Sequence, residues 1–65
     1  MVKRASDLKT LDIIKLINGE VLKIFKINKG IGTIEYQGKK ANCIMLTFES
    51  GKWSQVHPDE EFEVI

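Results

Sequence analysis

The sequence predicts a small all-β protein, an antiparallel barrel of five or six short strands with one short helical turn before the last strand. Three observations carry this. Turn-forming residues recur roughly every eight to twelve positions, at Asn18-Gly19, Gly30 to Gly32, Gly38, Ser50-Gly51 and Pro58. The stretches between them are rich in Ile, Val, Phe and other side chains that fit a pleated surface. Ile44, Leu46 and Phe48 alternate with Cys43, Met45 and Thr47, the period of two that a strand imposes.

In chain order, residues 1–6 have little apolar content and read as a loosely ordered N-terminal arm. Leu11 to Ile17 is rich in β-branched residues and reads as a strand ending in a tight hairpin. There, Asn18-Gly19 supplies two residues that tolerate positive φ. Apolar residues then fall at 21, 22, 24, 25 and 27, which is neither clean alternation nor a long helix, although 21, 24, 25 and 28 share a helical face. The Asn-Gly before the segment and its Ile, Phe and Val content favour a strand. The spacing of Val21, Ile24 and Ile27 by three is reconciled with a strand by a β-bulge.

Gly30-Ile31-Gly32 reads as a bend or loop, after which Ile34 and Tyr36 alternate onto one face up to a turn at Gly38. Ala41 to Glu49 is expected to be the central strand. Ser50-Gly51-Lys52 turns the chain into Trp53 to Val56, where opposite parity sends Trp53 and Val56 to opposite faces. Proline lacks the amide proton a sheet ladder needs, so His57-Pro58 ends that strand. Pro58 to Glu61 then forms one 3₁₀- or α-type turn with acids at its positive end, and Phe62 and Val64 start a last strand.

Sixty-five residues make one domain, residues 1–65, with little slack for a deep cleft. The single cysteine, Cys43, forms neither an internal disulfide nor a cysteine-rich zinc site. Ten Lys and Arg against nine Asp and Glu leave a net charge of +1, too weak a bias to argue for duplex DNA or an anionic membrane. No apolar run approaches the roughly 20 residues of a membrane span. Ser6, Asp7, Lys9 and Asp12 stand where a secretory signal would need apolar residues, so a reducing cytoplasm is expected.

The order Ser6-Asp7-Leu8-Lys9-Thr10-Leu11-Asp12, Asn18-Gly19-Glu20, Thr47-Phe48-Glu49-Ser50-Gly51 and Pro58-Asp59-Glu60-Glu61-Phe62-Glu63-Val64 resembles small SH3-like barrels found in many uncharacterised phage and bacterial proteins. The first part is also similar to the N-terminal KOW-like domain of translation elongation factor P. The resemblance covers most of the chain, and its motifs are turn chemistry. Leu11 departs from it, because such sequences commonly have glycine before the aspartate, and residues 29–37 do not align. The resemblance implies an SH3-like barrel with a short turn before its last strand, and supplies no active-site residues.

Few residues suggest chemistry. His57 with Asp59 sketches half a general-base pair, but no nucleophile, second ligand or phosphate-binding loop accompanies it, so a structural role is expected. Cys43 reads as a small buried hydrophobe. Asp59, Glu60, Glu61 and Glu63 lack the spaced oxygens and glycine of a calcium loop and read as a solvated turn or an acidic docking patch. No catalytic residue, metal or cofactor is expected.

Trp53 is the residue to anchor a binding site, because exposed aromatics stack on bases or seat partner proteins; the competing reading has it closing one end of the barrel. The leading expectation is therefore a small non-enzymatic adaptor or regulatory protein that binds another protein through Trp53 and its surroundings, or through an exposed sheet edge. The alternative is a KOW-like RNA- or single-stranded-DNA-binding module in which Lys39, Lys40 and Lys52 join Trp53 and Tyr36 or Phe25 in a basic-aromatic surface. Lysines along the strands protect edges in a monomer, whereas a homodimer would cover them, so the oligomeric state stays open.

Overall fold

A computed structural model describes residues 1–65. Six strands, β1 (Val2–Arg4), β2 (Ile13–Lys15), β3 (Val21–Tyr36), β4 (Lys39–Phe48), β5 (Trp53–Val56) and β6 (Glu61–Val64), form one antiparallel sheet in the order β1-β6-β2-β3-β4-β5. A single 3₁₀ turn covers Ala5–Asp7. The sheet is unclosed, since its end strands β1 and β5 do not pair with each other.

The long strand β3 makes the sheet curl. Sixteen extended residues would span about 50 Å, yet the longest extent of the molecule is 27 Å, so β3 must bend. Val21–Lys23 pair with β2, and from Ile24 onward the strand pairs with β4. The register slips between Ile24 and Lys26, leaving Phe25 as the extra residue, and again between Lys29 and Thr33, where Gly30 to Gly32 oppose Cys43 alone. The expected bulge is therefore present, with one correction. The inward set is Leu22, Ile24 and Ile27, while Val21 is exposed. Residues 30–32, expected as a bend or loop, are instead a wide bulge inside one continuous strand.

The hairpin turns differ from expectation at one place. Asn18-Gly19 does not form the two-residue turn. Leu16 C=O accepts from Gly19 N–H at 2.9 Å, Leu16 N–H donates to Glu20 C=O at 2.8 Å, and only Gly19 takes positive φ, a three-residue loop with a glycine bulge. The same pattern recurs after β4, where Gly51 N–H donates to Phe48 C=O and Phe48 N–H to Lys52 C=O. The two-residue turn with positive φ at both centres is Gln37-Gly38, between Tyr36 and its partner Lys39.

Two further corrections concern the ends of the chain. Residues 1–6 are not loose in the structure: Val2–Arg4 pair with Glu61–Glu63, and Ala5 N–H donates to Glu60 C=O at 2.8 Å. The helical turn expected before the last strand is a simple turn closed by Glu60 N–H on His57 C=O at 3.0 Å, and the 3₁₀ turn lies at Ala5–Asp7 instead. Ala5, Leu8, Ile14, Leu22, Ile24, Leu46, Phe48 and Val56 form the core, flanked by Leu16, Ile27, Ile44, Phe62 and Val64. Each large aliphatic or Phe so buried stabilises by about 1.5–3 kcal/mol. No helix is long and apolar enough to cross a membrane.

Candidate interaction site

β4 lies between β3 and β5, as its alternation predicts, and β5 is an open edge. Pairing sets the direction of every polar backbone group on β5. Phe48 N–H takes Lys52 C=O, so the antiparallel alternation turns Ser54 and Val56 toward β4. The N–H and C=O of Trp53 and Gln55 then point outward, where no strand follows. Val56 is buried and Trp53 is 64% exposed, which decides the choice that their opposite parity left open. Trp53 does not close the end of a barrel.

Trp53 stands on the rim between two surfaces. On the outer face it shares a shallow depression with Met45, Thr47 and Gln55, and Thr47 continues this face to Phe25, which the bulge leaves 61% exposed. On the inner side Trp53, Ser54 and Val56 line one wall of a groove of about 230 Å³, with Leu16, just after β2, and Phe62 of β6 lining it from across. Lys52 and Glu20, each directly after a bulge glycine, form an ion pair beside this groove. Lys23 and Glu49 pair at 3.7 Å nearby. Such exposed pairs contribute about 0–1 kcal/mol.

The remaining residues expected at the site lie elsewhere. Lys39 and Lys40 start β4 at the Gln37-Gly38 hairpin, whereas Trp53 pairs with Thr47, so up to about 23 Å of strand separates Lys40 from the tryptophan. Tyr36 is half-buried, its ring 5.6 Å from that of His57 and tilted by 33°. Tyr36 and Lys39 share a polar cleft with Arg4, Asp59 and Glu61, not with Trp53. Of the expected lysines only Lys52 lies beside Trp53, and it is engaged by Glu20.

His57 is 2% exposed and serves the turn after β5. Its Nδ1 accepts from Asp59 N–H at 3.0 Å, so the residue meets the backbone of Asp59 and not its carboxylate, and Nε2 is buried without a partner. Cys43 Sγ lies 3.0 Å from Gln55 Oε1 and 3.4 Å from Ile31 C=O, and its one proton serves either acceptor in turn. No three His, Cys, Asp or Glu side chains converge in a way that would hold a metal ion.

Asp12 has a perturbed carboxyl. Lys9 N–H donates to Oδ2 at 2.9 Å and Lys3 Nζ sits 3.4 Å away, so hydrogen bonding first and the lysine charges second hold this carboxyl below its ordinary range, against partial burial. It braces β1 against the segment leading into β2.

Sequence reasoning missed Leu16, Ile17, Gln55 and Phe62. Ile17 offered a signal, because an isoleucine inside a turn is out of place unless something covers it, and it is fully exposed. Comparison with family models, curated proteins and solved structures finds no match to this chain.

Proposed function

We propose that this chain is a small SH3-like barrel, opened along one seam, that acts in the cytoplasm as a non-enzymatic protein-interaction or regulatory module. The single observation carrying this reading is that the exposed tryptophan and the open sheet edge are one element. Trp53 lies on β5, whose outward N–H and C=O groups have no strand to pair with. An aromatic hot-spot side chain beside unpaired strand groups is the combination that strand-adding partners use. Cys43 Sγ and His57 Nδ1 are engaged by Gln55, Ile31 and Asp59, and the remaining His57 nitrogen is buried away from the surface, which supports a module without catalysis.

A second reading, the KOW-like module for RNA or single-stranded DNA, draws on Lys26, which pairs with Thr47 beside Phe25 and Trp53. It is the weaker one, because Lys39 and Lys40 are remote and Lys52 is neutralised.

Affinity capture with wild type, Trp53→Ala and Gln55→Pro, followed by titration of the purified captured protein against each, tests the choice. The proposal expects a protein bound by wild type and lost by both variants. Retention on poly(rU) that falls steeply with salt, with no protein partner, would replace it by the nucleic-acid reading.

A further inference from the structure

The groove beside β5 does not stop at Phe62. Leu16 and Phe62 also line a second, wider depression of about 700 Å³, which runs on past Ile17 to Glu60, Glu61 and Glu63. The two depressions therefore adjoin at Leu16 and Phe62 and make one path at the end of the sheet where the β2–β3 and β4–β5 hairpins lie. At the β5 end it is apolar and bordered by outward backbone groups. The other end is lined by Glu60, Glu61 and Glu63 with Lys15, and Arg4 stands across from Glu61 on β1, which leaves the carboxylates in excess by one, while the Glu20–Lys52 pair cancels itself.

Resting on the reading of β5 as a partner-binding edge, we propose that this path takes an extended segment of a partner protein that is apolar at alternate positions and basic at one end. The segment adds to β5 as a strand, exchanging hydrogen bonds with the N–H and C=O of Trp53 and Gln55. The side chains it turns inward fall against Leu16 and Phe62, which pack on the core but stay half-buried. Its lysine or arginine residues lie opposite Glu60, Glu61 and Glu63, where the excess of carboxylates favours a cation and repels a phosphate backbone.

The same charge argues against a nucleic acid as occupant of the path, whatever binds the outer face. It also selects among proteins, because an acidic segment entering this end would place like charges together without compensation. A second copy of this chain is a poor fit in strand-to-strand pairing of β5 with itself, since Trp53-Ser54-Gln55-Val56 has no basic residue of its own to set against the acids.

The test is selection of a display library of random-sequence peptides on the full chain, with binding of the enriched peptides measured through Trp53 emission. Gln55→Pro removes an outward N–H that β4 does not use, a substitution edge strands tolerate, and Glu61→Lys/Glu63→Lys reverses the charge on exposed positions of β6. Circular dichroism and a thermal melt establish that both variants fold.

The expected result is a consensus of alternating apolar residues with Lys or Arg at one end. Its binding is lost in Gln55→Pro, weakened about tenfold or more in Glu61→Lys/Glu63→Lys, and weakened by salt. Salt dependence of the wild type keeps the test decisive if the charge-reversed variant does not fold. Neutral or acidic peptides that still depend on Gln55 would overturn the basic-segment inference and leave the edge reading standing. Peptides indifferent to Gln55→Pro, or no enrichment at all, would overturn both. A concentration-dependent dimer that Gln55→Pro abolishes would overturn the inference in favour of a second copy as occupant.

Discussion

Cys43 Sγ fills the space in which a side chain at Gly30 would begin: a Cβ there would stand 2.2 Å from the sulfur and 3.1 Å from the Cys43 carbonyl oxygen. The demand on Gly30 is room and not backbone conformation, unlike Gly32 in the same bulge, which has φ +85° and open space around it. Gly30→Ala is expected to destabilise the protein by about 1–3 kcal/mol in urea unfolding. Adding Cys43→Ala should return part of that loss, because the sulfur is gone while the carbonyl remains. The pair is then non-additive in a double-mutant cycle. Two losses that simply add would mean the sulfur and position 30 do not compete for space.

Leu11 has φ +76° although it is not glycine. Asp12 N–H donates to Lys9 C=O at 3.1 Å across this residue, so Leu11 occupies the third position of a turn, where positive φ favours glycine. The side chain is 64% exposed and returns little packing for the strain. Leu11→Gly should therefore raise Tm. Relief of about 1–3 kcal/mol of strain outweighs the roughly 0.4–1 kcal/mol by which glycine loosens the unfolded chain. A lower Tm would assign Leu11 a packing role that its exposure does not suggest.

These two residues also mark how far the sequence could be read. Alternation at 44, 46 and 48 and the turns at 18–19, 38 and 50–51 are local signals that report elements that exist, whereas the glycines at 30 and 32 mark a bulge and not a turn. Turn type is not local in that way. Asn18-Gly19 has the composition of a two-residue hairpin, yet Gln37-Gly38 forms one, because the register of β3 on β4 leaves two residues between Tyr36 and Lys39. β1 was illegible for a different reason. Val2–Arg4 is too short and too charged to announce a strand, and its partner β6 lies at the far end of the chain. Trp53 and Val56 were legible as a pair of alternatives. The groove beside β5 was not, since the register of β2 on β6 sets Leu16 next to Phe62 but only the curl of the sheet brings Trp53 and Val56 across to them.

Asp12 should make stability depend on pH at the acid end. Its folded-state pKa is lowered from the ordinary 3.8, so the unfolded state binds the proton more readily. The carboxylate's contribution is complete above the ordinary value and is lost as pH falls through the lowered one. Asp12→Asn keeps an acceptor for Lys9 N–H but gives up the charge facing Lys3. The variant should be less stable than wild type by about 1 kcal/mol at neutral pH. The gap should close in strong acid, where both side chains are neutral. Urea titrations of the two proteins across that range check this; a gap that persists in acid would trace the loss to packing.

Trp53 and Val56 are three residues apart on one short strand and should respond to truncation in opposite measure to their size. Val56 is 3% exposed and belongs to the core, so Val56→Ala removes buried methyl groups and should cost about 2 kcal/mol. Trp53, at 64% exposed, should tolerate Trp53→Ala within about 0.5 kcal/mol. Circular dichroism must follow the unfolding, because the variant lacks the only tryptophan. In the wild type the same residue should emit in the red and be quenched readily by iodide. Blue, protected emission together with a large loss in Trp53→Ala would mean that the indole folds over the groove in solution and covers Leu16 and Phe62 itself. In that case a partner would have to displace Trp53 before it could reach the groove.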